Sequence, residues 1–290
     1  MFYIKVLDSK AVGLNYFIFS FFSSILGFSF VLASRLELSG PFCLFNEMFY
    51  HINVTCHGLV MVFFFLTLLA SGFSNFMLPN MCFQEDMKLP RVNVVSLWLV
   101  YVSFIFVFLS LVIGEGVGEG WTLYVPLTSG YSKSISIDLL ITGIHIFSLS
   151  SILGAINILV TVANSYNLFK TSVFSMSPFV WGYVTTSVLV LVATPSLTCV
   201  MTLLLCDRVY GTFYFCSEFG GDPLLYQVMF WVWGHPEVYI LILPVFGVVS
   251  HVVQCLCGGV LFNRRGIVYS MLSLMVLSFL VWGHHMVTVG

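Results

Sequence analysis

Tyr226-Gln-Val-Met-Phe-Trp-Val-Trp-Gly-His-Pro-Glu-Val-Tyr-Ile-Leu-Ile-Leu-Pro-Val-Phe-Gly-Val-Val-Ser-His-Val-Val-Gln-Cys-Leu256 carries a single formal charge, Glu237. A helix crosses the hydrocarbon of a bilayer with about 20 apolar residues, so this run is a membrane span with length to spare. Pro236 and Pro244 remove backbone donors inside it, which is tolerated where neighbouring helices re-satisfy the freed carbonyls. Working outward, comparable runs lie near 13–34, 52–79, 93–114, 138–163, 178–205 and 267–289, making seven spans. Turn formers and charge gather in the links between them. Of the 290 residues, 59% are hydrophobic and only 8% charged, against roughly 25% charged in an average soluble domain. Soluble enzymes, nucleic-acid binders and disordered chains are excluded together, and lipid is the first partner. A β-barrel is excluded too, because barrels alternate apolar and polar residues in short segments. The expected fold is all-α, a polytopic membrane helix bundle forming a single transmembrane domain over 1–290.

The ten basic residues sort by side. Lys5, Lys10, Lys88, Arg91, Lys170, Arg264 and Arg265 share the N-terminal side, whereas Arg35, Lys133 and Arg208 lie opposite. Positive charge favours the cytoplasmic or matrix face, so the N-terminus is expected there. The opening MFYIKVLDSK has neither signal-peptide nor transit-peptide character, which points to insertion through the first span or to synthesis inside an organelle. Thirty phenylalanines fit T-rich organellar codons. Cysteines 43, 56, 82, 199, 206, 216, 255 and 257 stand in apolar sequence and are expected to be small buried hydrophobes. The pair Cys255 and Cys257 is too short and solitary to be a zinc site.

Intramembrane ionisable residues are costly and tend to be functional. At about 1.5 Å per residue, His57, His235, His284 and His285 all fall within roughly 6–14 Å of the outer face. Neutral imidazole suits copper, iron and zinc. Adjacent His284 and His285 would point about 100° apart on a helix and could embrace a metal with His235 as third ligand. His57 belongs to another face and to another metal. His51, His145 and His251 read as structural. His235 and Tyr239 are i, i+4 and share a face, while Glu237 turns about 200° away toward something polar or wet. A metal histidine, a phenol and a buried carboxyl in one span suggest coupled electron and proton chemistry.

At these residues the chain resembles subunit I of the haem-copper oxidases, its mitochondrial members above all. The matching stretches are Trp233-Gly-His-Pro-Glu-Val-Tyr-Ile-Leu-Ile-Leu-Pro244, Val281-Trp-Gly-His-His-Met-Val-Thr-Val-Gly290, Ser150-Ser-Ile-Leu-Gly-Ala-Ile-Asn157, Gly120-Trp-Thr-Leu-Tyr124 and Gly220-Gly-Asp-Pro223. The resemblance implies reduction of O2 to water with electrons from cytochrome c, coupled to proton pumping in the mitochondrial inner membrane. It implies haem A in low-spin and high-spin sites, and copper. His57 would be one axial ligand of the low-spin haem; His235, His284 and His285 would hold copper. Tyr239 would be the tyrosine joined to the first copper histidine, supplying a proton and an electron. Asp86 would open a proton path lined by Asn75, Asn93, Ser150 and Ser151 and ending at Glu237. Arg35, Tyr50 and Trp121 would contact haem edges or propionates, and Glu37 a peripheral calcium or sodium ion.

The resemblance also implies a fold of about twelve spans. Its later helices bring the remaining haem ligands and a second proton channel, none of them within residues 1–290. The resemblance therefore implies either a split subunit, with a separate chain carrying the C-terminal helices, or a truncated product. The split is favoured because the site residues of this half are intact, and it would stand beside subunits II and III, with cytochrome c docking through subunit II. Differences such as Tyr124-Val-Pro126 and Glu119 are expected to be variation at the outer surface. Rival readings are a quinol-linked oxidase, a histidine-based metal transporter and a remnant kept for assembly. The transporter leaves Glu237, Tyr239 and the proline pair unexplained.

Overall fold

The computed structural model describes residues 8–41, 44–169 and 175–289. Lys5, Cys43, Lys170 and Gly290 lie outside the described residues. Eight α-helices are found among those described: α1 (Ser9–Glu37), α2 (Glu47–Leu59), α3 (Thr67–Met81), α4 (Pro90–Val112), α5 (Ile135–Phe169), α6 (Pro178–Val209), α7 (Pro223–Cys257) and α8 (Arg264–Leu277). A π-helical stretch, Val60–Leu66, joins α2 to α3 without a break, so the two form one crossing. Six helices are long and apolar enough to span a membrane.

Their ends follow local chemistry. Asp8, Asn46, Ser177 and Asp222 stand at N-caps and accept backbone N–H groups from Lys10, Met48, Val180 and Leu224. Pro90, Pro178 and Pro223 open helices at positions whose N–H would be unpaired anyway. Every long span except α6, which starts at Pro178 as read, begins a few residues before the apolar run read from the sequence, because the helix extends into the polar link.

Successive helices run antiparallel, and contacts between the links confirm two faces. On the first, Asp86 accepts from the Ser9 N–H, Ser165 donates to the Cys82 carbonyl, and Arg264 donates to the Met176 carbonyl. On the second, the Arg208 guanidinium pairs with Asp138 at 2.5 Å and donates to the carbonyls of Thr128, Ser132 and Ser134. The Arg208 side chain is 4% exposed and holds the α4–α5 link against α6. Removing one partner of a buried ion pair costs about 3–5 kcal/mol; Asp138 keeps some solvent access, which favours the lower end. Arg208→Met is therefore expected to lower the thermal midpoint of the detergent-solubilised protein by several degrees, with Arg208→Lys recovering only part. An unchanged midpoint would count against this role.

Helices α6 and α7 pack most closely. A methyl on Gly182 would sit 2.7 Å from the Leu243 carbonyl oxygen, and one on Gly247 would sit 2.8 Å from the Phe179 Cα. Small residues at such points let backbones approach where lipid supplies no hydrophobic drive.

The expected seventh span over 267–289 is corrected. Helix α8 ends at Leu277 after 14 residues, and Trp282–Met286 is a 3₁₀ helix. The bonds from Phe279 to Val276 and from Leu280 to Leu277 already show the tighter winding. Gly283 and the β-branched residues Val281, Val287, Thr288 and Val289 are poor α-helix formers. Ring contacts at His284 and His285 hold the segment to α7 instead. The cysteine expectation is corrected as well. Of seven described cysteines, all free thiols, only Cys56 and Cys82 are buried. The others stand on helix faces turned away from the protein interior or in loops, where an apolar thiol is tolerated beside lipid.

Candidate functional site: a histidine triad, a lone histidine and a polar cavity

His235 enters the bundle on α7, 12 residues from its first residue, Pro223. His284 and His285 reach it from the 3₁₀ turn, not from an α-helix as expected. One ring nitrogen from each of the three lies within 4.8 Å of the others, the only such group of three histidine, cysteine or acidic residues among the described residues. His235 Nδ1 and His285 Nε2 are 3.2 Å apart. Two imidazoles bound at about 2.0–2.1 Å on a tetrahedral ion stand roughly 3.3 Å apart, so this edge already has metal-site dimensions. His284 donates Nδ1–H to the Val281 carbonyl, leaving Nε2 with its lone pair. His235 Nε2 is buried with no partner. The Tyr239 ring stands beside His235, centroids 4.9 Å apart, on the shared face read from the i, i+4 spacing.

An aromatic frame holds the triad. His285 stacks on Trp231 at 3.8 Å with 5° between the rings. Trp231 donates its indole N–H to the Tyr124 hydroxyl at 2.5 Å, and Trp121 meets Trp231 edge-on. Tyr124 is therefore no surface variation. It is half-buried and orients the indole on which His285 stacks. Sequence reading missed Trp231 and Tyr124, although Trp231 stands i, i+4 to His235; Tyr124, 107 residues from Trp231, gave no local signal.

His57 lies on α2, at a similar depth to His235 but on a separate helix. Its Nδ1 donates to the Gly27 carbonyl of α1 at 2.9 Å. A carbonyl can only accept, so the tautomer is set and Nε2 is left to bind a metal. The π-helical stretch begins three residues later and turns Phe63 onto Trp233, 5.8 Å and 14° apart. Such bulges recur at functional sites. Around the outer end of α2, Gly120 donates to Thr55 Oγ1, Trp121 packs on Gly58, Tyr50 is half-buried and Arg35 is exposed. Glu37 is engaged locally, one carboxylate oxygen accepting from the N–H groups of Leu44 and Phe45.

A cavity of about 100 Å³ opens among α3–α7. It is polar enough and roomy enough to hold several waters. Its inner end is lined by Met87, Asn75 and Asn93, its middle by Ser150 and Ser151, and its far end by Glu237. Asn93 donates to Asn75 at 2.6 Å, and Ser150 and Ser151 donate to the carbonyls of Ser96 and Phe147. Asp86 does not line the cavity. Its carboxylate binds the N–H groups of Ser9 and Met87 just below the inner end. Glu237 is 7% exposed, and no described residue hydrogen-bonds its carboxyl.

The remaining histidines are engaged elsewhere. His145 bonds the Ile141 carbonyl and Thr202 Oγ1 through its two nitrogens, His51 faces Glu47, and His251 meets Cys255. None joins the triad or faces His57.

Residues 11–290 match the family model described as Cytochrome C and Quinol oxidase polypeptide I. The chain belongs to that family. It is 40% identical over 286 residues to cytochrome c oxidase subunit 1 of Candida albicans, and 39% and 38% identical over 288 residues to those of Eremothecium gossypii and Yarrowia lipolytica. These alignments cover 97–98% of this chain and 54% of each relative. The chain thus spans about half the length of the curated relatives it matches. As an oxidase polypeptide I chain it has the multi-pass apolar helices the family requires, and its histidine triad falls inside the matched region.

Proposed function

We propose that the chain forms the N-terminal part of the catalytic subunit of a terminal oxidase that reduces O2 to water, with cytochrome c as electron donor and protons drawn across the membrane. The observation that carries this is the gathering of three imidazole nitrogens within 4.8 Å on α7 and the 3₁₀ turn. The donor set suits copper. It is neutral, borderline-soft and buried at His235, whose Nδ1 lies 3.2 Å from His285 Nε2. His57 suits a low-spin haem A iron, and Arg35, Tyr50 and Trp121 would contact that haem. When bound, copper and haem would supply electron transfer and the reduction of oxygen.

The chain's own residues do the rest. Tyr239 stands where its phenolic proton and an electron can reach the copper side of the centre. Asp86 collects protons at the inner mouth, Asn75, Asn93, Ser150 and Ser151 hold water along the cavity, and Glu237 passes protons on at its far end. Among the described residues nothing offers the second axial ligand of the low-spin haem or a ligand for the high-spin haem. We read residues 1–290 as one bundle that packs against further helices carrying those ligands, within a complex that includes subunits II and III. The majority of basic residues on the first face supports a matrix-side N-terminus in the mitochondrial inner membrane.

In the purified complex, His235→Ala is expected to abolish bound copper, measured by elemental analysis, while the low-spin haem band survives. Wild-type copper content in that variant would overturn the assignment.

A further inference from the structure

Helix α6 turns a face that bears hydroxyl groups onto the same cavity. Tyr183, Thr186, Ser187, Val190 and Thr194 all line it, at the i, i+3, i+4, i+7, i+11 spacing of one helical stripe. Two of the hydroxyls are spent on backbone. Tyr183 donates to the Ala70 carbonyl at 2.9 Å and Ser187 to the Tyr183 carbonyl at 2.7 Å. Other threonines of α6, such as Thr185 and Thr202, donate back to their own helix. Thr186 does not, and its Oγ1 is buried with no partner. A buried hydroxyl without a partner is destabilising, so one beside a polar cavity calls for water.

The register of α6 against α7 locates that hydroxyl. Gly182 meets Leu243, Phe179 meets Gly247, and Ser196 donates to the Met229 carbonyl. This constant antiparallel pairing sets Thr186 level with Tyr239 and within about one turn of Glu237. Both Thr186 and Glu237 line the cavity.

We propose that Thr186 is a positioning residue for Glu237, holding cavity water that fixes the carboxyl in its proton-accepting orientation from the α6 side. This rests on the reading of Glu237 as the end of the proton path. A carboxyl relays protons only if it meets its donor and its acceptor in turn, and a hydroxyl that can both donate and accept through water sets which way it faces.

The test uses the assembled complex, with haem and copper content checked in each variant. Thr186→Val removes the hydroxyl at nearly constant volume, Thr186→Ser keeps it, and Glu237→Gln identifies the infrared carbonyl band of protonated Glu237 by its loss. Thr186→Val is expected to move that band to higher wavenumber and to lower turnover about threefold to tenfold, the scale of one lost hydrogen bond. Thr186→Ser is expected to restore both. Should the valine variant not assemble, Thr186→Ala reads the same two quantities. A wild-type band and turnover in Thr186→Val, beside a crippled Glu237→Gln, would overturn the role of Thr186 and leave the proton path standing. Equal impairment in the valine and serine variants would show packing alone and would also overturn it. Wild-type turnover in Glu237→Gln would remove the reading beneath it.

Discussion

Glu237→Gln is expected to lower turnover of the assembled oxidase by about 10²-fold or more while haem and copper content stay at wild-type levels. Glu237 lies two residues beyond His235 and so faces away from the metal histidines, into the cavity that begins at Asn75 and Asn93. The amide has the volume and shape of the acid, so packing around the cavity is kept. What it lacks is the ability to take up and release a proton. Positioned acid–base groups contribute about 10²–10⁴-fold in other enzymes, and a carboxyl that relays protons along the proposed path falls in that range. Oxygen consumption by the purified complex measures the effect. Turnover within a factor of about two of wild type would take Glu237 off the path.

Replacing His57 with alanine is expected to abolish the low-spin haem band and electron entry, with copper retained. The imidazole is held by one bond, from Nδ1 to the Gly27 carbonyl, and this leaves Nε2 free to act as a ligand. The triad is built on α7 and the 3₁₀ turn, and its closest supports are Trp231 and Tyr124, none of which touches His57. Loss of an axial ligand is not compensated, since His51 and His145 are bound elsewhere. Redox difference spectra and copper analysis on one preparation separate the two centres. Copper lost with the low-spin band retained would reverse the assignment.

Much of the bundle is legible from short windows. Apolar length sets the six long helices, and Asp8, Asn46, Ser177 and Asp222 mark the starts of four of them. His235 with Tyr239 is readable because four residues along a helix return to the same face. The reading failed where neighbours override local preference. The run 267–289 has span-like composition, yet it winds into a 3₁₀ turn where His285 stacks on Trp231 and His284 packs against His235. The π-helical stretch at Val60–Leu66 has no signature in its composition, Val-Met-Val-Phe-Phe-Phe-Leu, because the extra residue per turn is stabilised by what Phe63 and Phe64 meet on α5 and α7. Tyr124 was read as surface because nothing near it in the chain shows that an indole waits 107 residues away.

The sequence by itself determined that this chain lives in a membrane, where its helices begin and turn, and which side chains are too costly to be there without a function. These are properties of composition and of contacts within one or two helical turns, and they act before any helix meets another. Tertiary structure alone decided that His284 and His285 reach His235 from a 3₁₀ turn, that Gly27 sets the tautomer of His57, and that Thr186 shares a cavity with Glu237. Each of those contacts joins residues 30 to 51 positions apart. Over such distances the chain pattern carries no register, and only the packing of one helix on another supplies it.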